Sequence, residues 1–162
     1  MAERPVVNAS PLIFLSNGGL FELLQLAGSE VVVPMAVAIE VQRRGQTDIT
    51  VQAIESTPWL TVVETPQVAD EILNWELGEG ESAVLAWASA HPGTEAIVDD
   101  LAARRCATAL NIPIRGTLGL VLTAKQKGAI PMARPVLEKL RQSGMYLSDR
   151  ILNRALSLVG EG

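Results

Sequence analysis

The chain holds one cysteine, Cys106, and one histidine, His91. That scarcity excludes an intrachain disulfide framework, a zinc cluster and a Cys–His catalytic pair, and it makes the cytoplasm the expected compartment. Long apolar runs are also missing. The longest, Val31–Ile39, is nine residues with Pro34 inside it, too short to span a bilayer. There is no excess of positive charge. Thirteen Lys and Arg stand against 18 Asp and Glu, a net charge of −5. This argues against a protein that coats nucleic acid through bulk charge, while an acidic metal site is compatible with it. No G-x-G-x-x-G fingerprint and no Walker loop occur, nor any repeat or low-complexity tract. Glu3, Arg4 and a short strand broken by Asn8 do not look like a signal peptide, and none is expected.

What is present is globular. At 162 residues, 48% hydrophobic and 19% charged, the chain is expected to form one domain over residues 1–162 with a single sizeable core. Short β-branched runs alternate with helical patterns. Val6-Val7 precedes Pro11–Ser16 and Leu20–Ala27, and Val31-Val32-Val33 precedes Pro34–Arg44. Trp59–Val63 is a third strand candidate. Ala96-Ile97-Val98 leads into Leu101–Leu110, and Ile112–Ile114 into Leu118–Lys127. Met132–Gln142 and Asp149–Leu158 read as closing helices joined by a Ser-Gly turn. Residues 64–80 form the loosest stretch. Strand–helix alternation predicts an α/β protein with a mainly parallel sheet and helices on both faces. Ser10-Pro11 reads as an N-cap followed by a first-turn proline. Ala103, Cys106, Ala107 and Leu110 make a core stripe at helical spacing.

In an open parallel sheet, ligands bind beyond the carboxyl ends of the strands. The residues expected there are Asn8 and Ser10 after the first strand, Asp99-Asp100 after the fourth, and Gly116-Thr117 after the last. Glu40 interrupts the apolar helix PMAVAIEV, and Glu81 follows LGEG at a helix start. Taken singly, each has a plain alternative: caps, turns and first-turn acids favour these residue types, and Glu40 would simply face water. Taken together, four carboxylates and an amide oxygen at one sheet end would repel one another unless a hard cation held them. Candidate contacts to a phosphate backbone are Arg43, Arg44, Arg104, Arg105 and Arg115, with ion pairing or a solvated helix face as the alternative. Trp75 and Trp87 are candidates to stack a base or to pack the core. Leu20–Ala27 suits either core or a partner-covered surface. Cys106 reads as a small core residue and His91 as a loop residue before Pro92.

The order Asn8-x-Ser10, Glu40, Glu81, Asp99-Asp100, Gly116-Thr117 resembles the PIN-domain nucleases, in particular the small stand-alone prokaryotic branch related to VapC-type toxins. The similar segments are VVNASPLIFL, VPMAVAIEV, LGEGESAVLAWA, the run from Ile97 to Gly128, and LEKLRQSGMYLSDRILNRAL. They cover nearly the whole chain. The resemblance implies a three-layer α/β/α sandwich and a ribonuclease dependent on Mg²⁺ or Mn²⁺. Glu40, Glu81 and Asp100 match acidic ligand positions, with Asp99 an additional acid. Ser10 and Thr117 match polar supporting positions, the latter after Gly116. Asn8 stands where the family has a metal-binding Asp, with the charge removed. An RNA substrate, an antitoxin protein and a homodimer are the partners the resemblance implies, and a membrane is not among them.

Two further readings compete with an active nuclease. A PIN-like domain weakened by Asn8 would serve as a nucleic-acid- or protein-binding module. An unrelated doubly wound domain would bind a small ligand or phosphate.

Overall fold

The valine-rich runs do become strands, and the five strands among the described residues lie parallel in one sheet. The computed structural model describes residues 4–162. In chain order the strands are β1 (Val6–Val7), β2 (Val31–Pro34), β3 (Leu60–Val63), β4 (Ala96–Ile97) and β5 (Ile114–Arg115). Their order across the sheet is β3-β2-β1-β4-β5. Val6 registers with Val32 on one side and Ala96 on the other. The valines of β1 and β2 and both residues of β4 are fully buried, as expected of a parallel sheet covered on both faces.

The helices are α1 (Ala9–Asn17), α2 (Met35–Gln42), α3 (Ile49–Ser56), α4 (Asp70–Leu73), α5 (Glu79–Ala90), α6 (Leu101–Ala109), α7 (Thr117–Gln126), α8 (Ala133–Gln142) and α9 (Asp149–Leu158), with a 3₁₀ helix at Phe21–Leu26. α5 lies along β1, β2 and β4 and also meets α2, α4 and α6, while α1 packs with α3, α7 and α8. The result is the expected α/β/α sandwich. Ala103, Cys106 and Ala107 are buried as a stripe, and Phe21, Leu23 and Leu24 belong to the core.

Several boundaries differ from the sequence reading. α1 begins at Ala9, so Asn8 occupies the cap position and Ser10 lies inside the first turn. Pro11 fits there because a first-turn residue has no intrahelical acceptor to lose. β5 starts at Ile114 because Pro113 has no N–H for the ladder, although its carbonyl still accepts from Ala96 N–H at 2.8 Å. α3 is capped by Asp48, whose carboxylate accepts from Thr50 and Val51 N–H at 2.9 and 3.4 Å. The loose stretch contains α4. No helix among the described residues is long and apolar enough to cross a membrane.

Candidate functional site

The strand order creates a switch point. The chain runs outward from β1 to β2 and β3, then returns to lay β4 on the other side of β1. A crevice therefore opens beyond the carboxyl ends of β1 and β4, the usual ligand position in such sheets. Asn8 leaves β1 there and Asp99 leaves β4. Asn8 N–H still donates to Ile97 carbonyl at 3.0 Å, which pins its backbone at the end of the ladder.

Asn8 is 1% exposed. Its amide nitrogen Nδ2 donates to Glu81 Oε2 at 2.7 Å. Its carbonyl Oδ1 is buried and has no hydrogen-bond partner among the described residues. An orphaned buried acceptor is costly, and few are tolerated. Glu40 approaches the same spot from α2. The meeting point is Gly80, in the first turn of α5. A Cβ on Gly80 would stand 2.9 Å from Glu40 Oε1 and 3.1 Å from Asn8 Oδ1. A glycine is needed at this position because two acceptor oxygens press in where a side chain would start. Glu81, one residue on, turns its other oxygen over Gly78, the cap residue of α5.

The electrostatics follow from this crowding. The Glu40 carboxyl is pushed above the ordinary carboxylate range, chiefly by its loss of water at the α5 contact and then by the Glu81 charge, with Arg43 opposing. Glu40 as a residue remains exposed, so the effect belongs to its carboxyl end.

Asp99 and Asp100 are differently placed. Asp99 Oδ1 accepts from Thr117 N–H at 2.7 Å and Oδ2 from Thr117 Oγ1 at 2.8 Å. Thr117 is fully buried at the start of α7, where the helix dipole also favours a carboxylate. Asp100 caps α6, accepting from Ala103 N–H at 2.9 Å. Gly116 permits the approach: a Cβ there would lie 2.9 Å from Asp99 Oδ1 and 2.7 Å from Arg104 Nη1.

Ser10, Glu81, Asp99, Asp100, Arg104 and Gly116 line one cavity of about 830 Å³. Glu40 lines a neighbouring, smaller recess with Arg43 and Glu79. The expected convergence is therefore divided. Among the described residues, no three Asp, Glu, His or Cys side chains form a group able to hold a metal ion. Such a grouping omits amides, and Asn8 Oδ1, without a partner among the described residues, could add a neutral oxygen donor beside Glu40. A hard cation such as Mg²⁺ binds through one or two carboxylates and retains waters. The donor set of Asn8 Oδ1 and the Glu40 and Glu81 carboxylates, two of whose oxygens converge on Gly80, fits that requirement.

The cationic candidates also separate. Arg44 pairs with Asp48 at 3.1 Å and Arg115 with Glu95 at 3.1 Å. Arg43 is exposed beside Glu40. Arg104 is half-buried on the cavity wall, donates from Nη1 to Val98 carbonyl at 3.3 Å, and forms no ion pair among the described residues. Neither Trp75 nor Trp87 lines the cavity. Trp87 instead stacks on His91 with centroids 4.0 Å apart. The sequence reading passed over Gly80 and Tyr146. The signal for Gly80 was its place between two acids in GEGE. The signal for Tyr146 was a polar-tipped aromatic between two apolar residues in GMYLSD.

The parallel sandwich places acids on either side of its topological switch point. A PIN-domain family model matches residues 4–161, and the chain belongs to the PIN-domain family. PIN domains generally use divalent metal ions and act on nucleic acid. No curated protein matches the chain.

Proposed function

We propose that the protein is a divalent-metal-dependent ribonuclease of PIN type whose activity is held low by Asn8. The observation that carries the reading is the buried Asn8 Oδ1, without a hydrogen-bond partner among the described residues, brought against Gly80 together with Glu40 Oε1. Asn8, Glu40 and Glu81 would hold Mg²⁺ or Mn²⁺. Asp99 and Asp100 keep unused lone pairs toward the cavity, enough for contact through water. The ion supplies activation of water and stabilisation of phosphate charge.

The chain's own residues set the rest. Asn8 Nδ2 fixes Glu81 in orientation and offsets part of its charge. Arg104, held by Val98 carbonyl, presents a guanidinium to a phosphate entering the cavity. Thr117 holds Asp99 in one rotamer. Arg43 moderates the repulsion between Glu40 and Glu81.

A second reading is favoured by one contact. The Asn8–Glu81 hydrogen bond does without a cation what a cation would otherwise do for Glu81. A chain that relies on it would be a weakened PIN-like module that binds RNA or a protein and scarcely cleaves. If the protein is the toxin of a toxin–antitoxin pair, a co-expressed partner restrains it, and Asn8→Asp deepens the need for that partner.

Cleavage of single-stranded RNA with Mg²⁺ or Mn²⁺ tests the proposal. Native protein should cleave slowly, and Asn8→Asp should cleave faster. Ready cleavage by the native chain, with neither rate nor metal affinity changed in Asn8→Asp, would remove Asn8 from the site.

A further inference from the structure

We infer that Tyr146 is a nucleobase platform at the mouth of the acidic cavity. The inference rests on the ribonuclease reading and assigns a residue to substrate positioning. Tyr146 is 86% exposed, the most exposed large apolar side chain of the chain's described residues. Its neighbours are anchored. Met145 and Leu147 are 8% and 6% exposed. Met145 N–H donates to Leu140 carbonyl at 3.1 Å, and Leu147 carbonyl accepts from Arg141 Nη1 at 3.2 Å. The phenol is thus carried into solvent on a backbone tied at both sides. It is neither packed on another aromatic ring nor hydrogen-bonded among the described residues.

Position gives this exposure a meaning. Tyr146 lines the same cavity as Glu81, Asp99, Asp100 and Arg104. Its lining combines carboxylates and a guanidinium with apolar side chains such as Phe14, Leu118, Leu122 and Ile151. The volume of about 830 Å³ is that of a small-molecule site. A nucleotide combines the same two characters, with a charged phosphate and a flat base. With the phosphate at Arg104 and the acids, the adjoining base meets apolar side chains and stacks on the phenol. Every base has a π-face, so such stacking tolerates sequence and requires unpaired RNA.

Tyr146 is the chain's sole tyrosine, so 3-fluorotyrosine labelling gives a single ¹⁹F resonance to follow. The titrant is a single-stranded, phosphorothioate-linked oligoribonucleotide in Mg²⁺ buffer. The ¹⁹F signal should shift and saturate with binding. Tyr146→Ala should lower affinity roughly tenfold, while Tyr146→Phe stays within about twofold, as expected when an aromatic face stacks one base. An abasic oligonucleotide should bind native protein and Tyr146→Ala equally. The melting temperature of Tyr146→Ala should match the native value, since the side chain is exposed. Equal affinity of native protein and Tyr146→Ala for the normal oligonucleotide overturns the assignment, and with RNA cleavage intact it leaves the ribonuclease reading standing. A ¹⁹F shift driven by protein concentration alone also overturns it, making this face a self-association surface. Absence of both binding and cleavage removes the assignment and the ribonuclease reading together.

Discussion

The acids leaving β4 and the acids facing β1 carry the same chemistry in opposite states of satisfaction. Asp99 gives each oxygen a donor on Thr117, and Asp100 caps α6. Across the switch point, Asn8 Oδ1 has no donor among the described residues, and Glu40 is raised in pKa by lost water and by Glu81. The first pair stabilises the fold as it stands. The second group holds an unmet acceptor and a repelled carboxylate, and on the proposed reading it is the one a cation would relieve. Residue type alone does not separate the two. The donors beside them do.

The largest expected difference lies in stability without metal. Asp99→Ala removes two charge-assisted bonds and orphans the buried Thr117 hydroxyl, a loss of about 3 kcal/mol. The melting temperature should fall by roughly 6–12 °C. Glu40→Gln should leave it unchanged or raise it, because repulsion with Glu81 is relieved. A comparable fall in both variants would erase the distinction.

Asn8→Asp should reverse sign with metal. Without an ion, it replaces a donor to Glu81 by a third carboxylate and costs about 2 kcal/mol. With millimolar Mn²⁺ it should become more stable than the native chain under the same conditions. Thermal unfolding in both buffers checks this, and a fall in both contradicts it.

Asp100→Ala sharpens the comparison on a smaller scale. Loss of the α6 cap should cost about 1 kcal/mol. Asp100→Asn should recover most of it, because an amide oxygen still caps, and denaturant unfolding of both variants measures the difference.

The smallest effect concerns another satisfied carboxylate. Glu161 accepts from Ala133 and Arg134 N–H at 2.7 and 3.1 Å and pairs with Lys125 at 3.3 Å. The backbone bond from Ala133 leads in holding its carboxyl below the ordinary value of 4.5, with Arg134 and Lys125 adding to it. The unfolded chain therefore binds this proton more readily. The stabilisation is present above 4.5 and disappears as pH falls through the lower folded value. Glu161→Gln should flatten the acid side of the stability–pH curve. An unchanged acid limb would mean that the contacts do not persist in solution.

Much of the fold was legible because parallel strands are buried on both faces and so read as valine runs. The alternation of those runs with helices fixed the class. The ends of elements were less legible. Ser10 looked like a cap because serine is a good one, yet the backbone turns at Asn8. α3 was missed because its signal is one capping Asp48 before a weakly patterned segment. At the site, the acids could be selected by position but not ranked. Ranking needs Thr117 beside Asp99, 18 residues away in sequence, and Gly80 beside Asn8. Those contacts arise only when the sheet assembles.

The most direct test is the Mn²⁺-induced change in melting temperature of four proteins: native, Glu40→Gln, Glu81→Gln and Asp100→Asn. At an ion concentration ten times the dissociation constant, binding to the native state contributes about 1.4 kcal/mol, or roughly 3–6 °C. That rise should occur in the native chain and in Asp100→Asn, and it should vanish in Glu40→Gln and Glu81→Gln. A rise kept by Glu40→Gln and lost in Asp100→Asn, or no rise in the native chain, would contradict a cation site centred on Asn8, Glu40 and Glu81.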